Sequence, residues 1–301
     1  MKLENITPNL KTKLVFNVGY PMGKTNAPRV YNKFFSLLNM NAIMLPVEIQ
    51  RGELKSFMDA VKTLNVRYFF PTMPHKADII PFLDEVDETS RILKSVNAVR
   101  IDENGKSYGV GLDGVGAVGS LFEGGAKLAG GEVMMLGSGG VSGVIGLELA
   151  KRGVKKLTML DRPEVFPVEI AGILARETGM EVTALVSEPG NMDRIAAKAD
   201  VFINATPLGM AGFPHTHAYL GFIDKLPAHA TVFDVIINPP ETPVIAAARA
   251  RGLKTVPGMN MLIGNVAAIF KAMFDVEINA VDKRAAMEDL CEYLGIVSPK
   301  N

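Results

Sequence analysis

Cysteine is almost missing from this chain: Cys291 is the only one in 301 residues. A single cysteine cannot close a disulfide within the chain, and a cysteine-rich zinc site is excluded. Histidine is scarce as well, limited to His75, His215, His217 and His229. His215 and His217 stand two apart in a Pro/Gly loop and read as surface residues, so no metal is expected. An excess of one charge is missing too, with 32 basic and 32 acidic side chains. Such a balance implies no basic face, so nucleic acid is not an expected partner. The start of the sequence, Met1–Leu10, has no long apolar run and reads as neither a signal peptide nor a membrane span. The expectation is a cytoplasmic protein in a reducing compartment, with no membrane partner.

What is present is 48% hydrophobic residues, enough for two cores of ordinary size. Short β-branched runs alternate with amphipathic ones, which predicts α/β layers around a mostly parallel sheet. Strands are expected at Leu14–Val18, Ala42–Pro46 and Val66–Phe70. Helices are expected at Arg29–Leu38, Glu53–Leu64 and Asp78–Glu85. Ala98–Asp102 and Ser107–Val110 read as a hairpin turning at Asn104-Gly105. A helix over Asp113–Leu128 is expected to stop at Ala129-Gly130-Gly131. A second series follows: strands Val133–Leu136, Lys156–Leu160, Glu181–Leu185, Val201–Asn204, Thr231–Val235 and Lys254–Val256. Its helices are Val141–Arg152, Glu169–Thr178 and Pro243–Arg251, and the chain ends in helices Met261–Phe274 and Lys283–Leu294. The expected division is a first domain over 1–112 and a dinucleotide-binding domain over 113–260, with 261–301 packing back onto the first.

The second series opens with a distinctive loop. Val133–Leu136 runs into Gly137-Ser138-Gly139-Gly140-Val141-Ser142-Gly143, a helix follows, and Asp161 closes the next strand. Glycines allow the tight turn and let the backbone approach a pyrophosphate, while the free N–H groups of the helix start face the anion. Gly137, Ser138, Gly139, Gly140 and Val141 are therefore candidate cofactor residues. Asp161 would accept hydrogen bonds from the adenosine ribose and repel the 2′-phosphate of NADP, which favours NAD. Arg162 pulls the other way, because it could pair with that phosphate, so NADP is the alternative.

Six further segments carry a family likeness. They are Gly19-Tyr20-Pro21 with Ala27-Pro28, Pro71–Lys76, Ser95–Ala98, Leu112–Gly116, Asn204–Gly209 and Gly258–Leu262. In this order, with the glycine loop among them, the chain resembles shikimate dehydrogenase over nearly its whole length. The resemblance implies a substrate domain beside a Rossmann-type domain, with the active site in the cleft. It implies Lys76 and Asp113 as the catalytic pair, with Thr25, Thr72, Asn97, Asp113 and Asn265 toward the substrate. It also places Asn204, Thr206, Pro207, Val235 and Gly258 on the cofactor, with Asn204, Thr206 and Gly258 toward the nicotinamide. The implied reaction moves a hydride between nicotinamide and a shikimate- or quinate-like cyclic polyol carboxylate, as in aromatic amino acid biosynthesis.

The chemistry agrees with a side-chain acid/base. Oxidation of an alcohol sends a hydride to nicotinamide and a proton to a base, and an ammonium can stabilise the developing alkoxide in the reverse direction. A lysine holds its proton at neutral pH. The sequence also departs from the family. Two serines of the first substrate loop fall at Thr25 and Ala27, and only Thr25 keeps a hydroxyl. Lys24 is a candidate to pair with a carboxylate instead. A tyrosine expected after Asp234 is replaced, with Ile237 the nearest match, a glutamine becomes Asn265, and an asparagine falls at Gly111. Lost polar contacts to a buried carboxylate cost about 1–3 kcal/mol each, so quinate, another hydroxylated acid or a substrate without a carboxylate compete with shikimate. Two other readings remain: a methylenetetrahydrofolate dehydrogenase-like enzyme, and a non-catalytic ligand sensor on the same scaffold. A homodimer is left open.

Overall fold

The computed structural model describes residues 8–23, 25–165 and 168–296. The chain forms two compact units. One runs to Leu112 and is rejoined by the chain from Val266, and the other spans Asp113–Asn265. Lys24, read as a solvated loop lysine with pairing to a substrate carboxylate as the alternative, lies outside the described residues.

The first unit contains β1 (Lys13–Gly19), α1 (Ala27–Leu37), β2 (Ala42–Glu48), α2 (Leu54–Thr63) and β3 (Tyr68–Pro71). It continues through α3 (His75–Asp78), β4 (Glu85–Val86), α4 (Glu88–Leu93), β5 (Ala98–Ile101) and β6 (Ser107–Val110). The six strands lie in the order β2-β1-β3-β5-β6-β4. Strands β2, β1 and β3 are parallel, and β5 runs antiparallel to both β3 and β6. Val18, Phe57, Val61, Phe69, Val96 and Val99 form the core under α2. In β6 the buried Ser107 and Gly109 alternate with the half-buried Tyr108 and Val110, and in β5 only Arg100 is exposed, as in a hairpin with one face more deeply covered.

The second unit contains α5 (Asp113–Glu123), β7 (Glu132–Leu136), α6 (Gly140–Lys151), β8 (Lys156–Asp161), α7 (Val168–Thr178) and β9 (Glu181–Val186). It continues through α8 (Pro189–Ala196), β10 (Val201–Asn204), β11 (Thr231–Asp234), α9 (Pro243–Ala250) and β12 (Lys254–Val256) into α10 (Gly258–Ile269), whose residues from Val266 on belong to the first unit. All of its strands pair in parallel, in the order β12-β11-β10-β7-β8-β9. Counted from β7 this is the doubly wound order 3-2-1-4-5-6, whose direction reverses between β7 and β10. Strands β10 and β11 are buried along their whole length and β7 along all but its first residue, because both sheet faces are covered. In such sheets, ligands bind outside the carboxyl ends of the strands at that reversal.

Beyond α10 the chain makes a π-helical turn, Phe270–Phe274, and ends its described part in α11 (Ala280–Leu294). Both belong to the first unit. Phe270 packs among Tyr31, Phe34 and Phe35 of α1, with ring centroids 5.2–5.8 Å apart. Arg29 of α1 pairs with Asp289 of α11 at 2.7 Å and lies over the Tyr293 ring.

Several expected elements differ. The helix expected over Asp78–Glu85 is instead the end of α3, a 3-10 turn at Ile80–Phe82, and β4. Pro81 has no N–H to continue a helix, and Leu83 turns extended. Asp84 then exchanges hydrogen bonds with Ser107, which ties this segment to β6. The helix expected to reach Leu128 stops at Glu123, because Gly125 takes a left-handed conformation (φ +76°) right after it. Two helices had no counterpart in the sequence reading. One is α4, capped by Asp87 accepting from Ser90 N–H, and the other is α8, opened by Pro189. The helix expected from Met261 begins at Gly258, just after Pro257.

Candidate functional site

In the second unit, the candidate residues gather at the carboxyl ends of β7, β8, β10 and β11. Gly137 follows β7 with φ +101°, and a Cβ there would lie 2.8 Å from the carbonyl of Ala205, which follows β10. Its glycine is therefore required by the turn and by close approach of the two strand ends. Gly139 and Gly140, by contrast, have open space where a Cβ would stand. Gly139 caps α6 with no side chain to bond the helix start, and Ser142 N bonds to Gly139 O, so the N–H groups of Gly140 and Val141 at the start of this 12-residue helix face outward for an anion.

Asp161 ends β8 beside this loop. Its Oδ2 accepts from Ser138 Oγ at 2.6 Å and its Oδ1 from Arg162 N at 2.8 Å. The carboxylate is thus held in place with lone pairs left over, and Arg162 is exposed. These residues fit a dinucleotide: an open glycine turn at a helix start, with an oriented carboxylate at the end of the next strand.

The other side of the reversal is built from a buried polar chain. Asn204 and Asp234 are both fully buried. Asn204 Nδ2 donates to Asp234 Oδ1 (3.1 Å), and Asn204 Oδ1 accepts from both Thr206 N and Thr206 Oγ1 (3.2 and 2.7 Å). Thr206 Oγ1 in turn accepts from Leu208 N (3.3 Å). Asp234 also accepts from Ile236 N (3.0 Å) and Thr242 Oγ1 (2.6 Å), and burial raises its pKa above the usual carboxylate value. Gly258 packs against the carbonyls of Val235 and Ile236 with no room for a side chain. Asn204, Thr206, Val235 and Gly258 are thereby brought together, while Pro207 is exposed.

The sequence reading did not single out Asp234 or Thr242. A charged residue closing the β-branched and aromatic run Thr231–Phe233 is the signal that would have found the first. His217, expected at the surface, is half-buried, and its Nε2 has no hydrogen-bond partner. Its ring bonds the backbone of Leu208, and burial lowers its pKa. Asp113 opens α5, and its Oδ1 accepts from Asn265 Nδ2 at 3.0 Å. Asn265 Oδ1 is buried against Gly116.

In the first unit, Thr72, Lys76 and Asn97 come together after β3. Thr72 N donates to Val18 O of β1 (2.7 Å), and Thr72 O accepts from His75 N (2.8 Å). Lys76 lies on α3, and its carbonyl accepts from Val96 N (2.9 Å), next to Asn97. Asn97 is buried, and its Oδ1 accepts from Leu112 N (2.8 Å), which fixes the residue before Asp113. Thr25 Oγ1 donates to the buried Asn17 Oδ1 at 3.0 Å, and Asn17 Nδ2 is anchored on Phe70 O. The Thr25 hydroxyl is therefore already committed as a donor and keeps only acceptor capacity.

Residues 18–99 match the family model described as the shikimate dehydrogenase substrate binding domain. A shikimate dehydrogenase (NADP(+)) from Alkaliphilus oremlandii is 35% identical over 269 residues, 88% of this chain and 93% of the relative. Among solved structures, the shikimate 5-dehydrogenase of Listeria monocytogenes, in complex with shikimate and NAD, superposes with a TM-score of 0.85 at 25% identity. That match covers 93% of this chain and 97% of the other. The 5-ketofructose reductase of a Gluconobacter strain superposes with a TM-score of 0.83 at 25% identity, over 94% of this chain and 100% of the other.

Proposed function

The chain belongs to the shikimate dehydrogenase family, and on that premise we propose that it is an NAD(P)-dependent oxidoreductase interconverting a hydroxyl and a keto group on a small polyhydroxylated substrate. The observation that carries this reading is the glycine turn at the reversal of the second sheet, opening onto α6 with Asp161 beside it. When bound there, a nicotinamide dinucleotide supplies the hydride acceptor or donor. Lys76 serves as the acid/base that takes the alcohol proton, or returns it to the alkoxide, and Asp113 serves as its partner carboxylate. Thr72 and Asn97 hold substrate hydroxyls, and Asn265 keeps Asp113 oriented through its amide. The seating of Asp161 supports NAD as the preferred cofactor, with NADP as the alternative.

A shikimate- or quinate-like cyclic acid is the leading substrate class. A second reading, reduction of a keto sugar, is favoured by Ala27, which offers no donor to a carboxylate, and by the likeness to a 5-ketofructose reductase. The deciding experiment follows nicotinamide absorbance with shikimate, quinate and 5-ketofructose, each with NAD(H) and NADP(H). Turnover with any pair, falling by orders of magnitude in Lys76→Ala while dinucleotide binding survives, supports the reading. Absence of turnover in all six pairs sinks these substrate classes. Equal loss of binding and turnover in Lys76→Ala makes the lysine structural.

A further inference from the structure

Asp234 carries a charge question that the reaction scheme leaves unused. All three of its neighbours offer it a donor. Asn204 has its Oδ1 committed to Thr206, so its Nδ2 is the group that faces Asp234. Thr242 Oγ1 accepts from Ile245 N as the cap of α9, so its own hydrogen points to Asp234 Oδ2. The third neighbour, Ile236, contributes a backbone N–H. Three donors stand within reach, enough to satisfy an ionised carboxylate. No salt bridge among the described residues reaches Asp234, and it has no solvent exposure, so an ionised carboxylate here faces neutral donors only, and burial raises its pKa above the usual carboxylate value.

This charge sits at the end of β11, bonded to Asn204 and through it to Thr206, and followed directly by Val235. Those are residues proposed above to meet the cofactor, and the argument rests on that reading. An oxidised nicotinamide ring is cationic and a reduced one is neutral. We propose that Asp234 is ionised and that its buried charge makes this site bind the oxidised dinucleotide in preference to the reduced one. Water does not screen a fully buried charge well, so its field reaches the neighbouring site more strongly than a surface carboxylate would.

The test is calorimetric titration of the wild type, Asp234→Asn and Thr206→Val with NAD+, NADH, NADP+ and NADPH. Asp234→Asn keeps the shape, and Thr242 Oγ1 can accept from the new amide. The expected result is that Asp234→Asn weakens the oxidised form about tenfold more than the reduced form, as for a unit charge acting through protein rather than water. Thr206→Val breaks the hydrogen-bond chain but keeps the charge, and should change both forms by the same factor. Should the amide variant not fold by circular dichroism, Asp234→Ser removes the charge and leaves room for a water among the same donors. An unchanged ratio of oxidised to reduced affinity in the charge-removing variant overturns the proposal and leaves Asp234 as a support for Asn204 alone. Failure of the wild type to bind any of the four dinucleotides overturns the cofactor reading itself, and this inference with it.

Discussion

Burial keeps the His217 imidazole neutral further into the acid range than a free histidine. The unfolded chain takes up a proton as pH falls through about 6.5, while the folded chain resists until its own lower pKa is reached. The stability linked to His217 is therefore complete above the unfolded value and is lost as pH falls through the folded one. Cooling of the melting temperature between about pH 7.5 and about pH 5.5 should be smaller for His217→Gln than for the wild type, by about 2–4 °C. Equal shifts in thermal scans would remove His217 from the acid response. Asp161 acts by placement, with Ser138 and Arg162 N–H aiming its remaining lone pairs. Asp161→Ala should relax the preference for NAD over NADP by about tenfold in kcat/KM, the size of one lost charge-assisted hydrogen bond. An unchanged ratio takes Asp161 out of the ribose site.

The turn between β7 and α6 separates two uses of glycine within one element. At Gly137, a side chain would meet the Ala205 carbonyl at 2.8 Å in a backbone of φ +101°. Strain of about 1–3 kcal/mol is expected there. At Gly139, a methyl group meets nothing. Gly137→Ala should therefore lower stability in urea unfolding, whereas Gly139→Ala should unfold like the wild type yet bind dinucleotide more weakly, because its methyl occupies the space left for the pyrophosphate. Undiminished binding by a stable Gly139→Ala would mean that the loop holds no cofactor. This loop was legible in the sequence because strand, glycines, helix and acid follow one another within a single βαβ unit. The segment 78–85 was not, since its apolar residues suit a helix and only the Ser107–Asp84 exchange with a distant strand decides against one.

Across the molecule, the first unit is completed by residues from the far end of the chain. Phe270 stands in the aromatic cluster of Tyr31, Phe34 and Phe35 and is fully buried, and Arg29 bridges to Asp289. Truncating Phe270 to alanine should cost about 3–5 kcal/mol by cavity formation, seen as an earlier denaturant midpoint. A loss below about 1 kcal/mol would show that the cluster collapses around the gap. No helix among the described residues is long and apolar enough to cross a membrane.

Sequence alone determined the alternation of strands and helices, the glycine turn with its acid, and the six motifs that mark the family. Each of these is written in neighbouring residues, where periodicity, turn chemistry and local spacing act. Tertiary structure alone decided the partners of Asp234, the commitment of the Thr25 hydroxyl to Asn17 and the burial of His217. These depend on groups far apart in the chain: Asn204 and Asp234 are joined only because β10 and β11 pair in register, Asn204 beside Asp234. A carboxylate's charge state and a hydroxyl's free lone pair are set by what packing brings to them, and no run of adjacent residues encodes that.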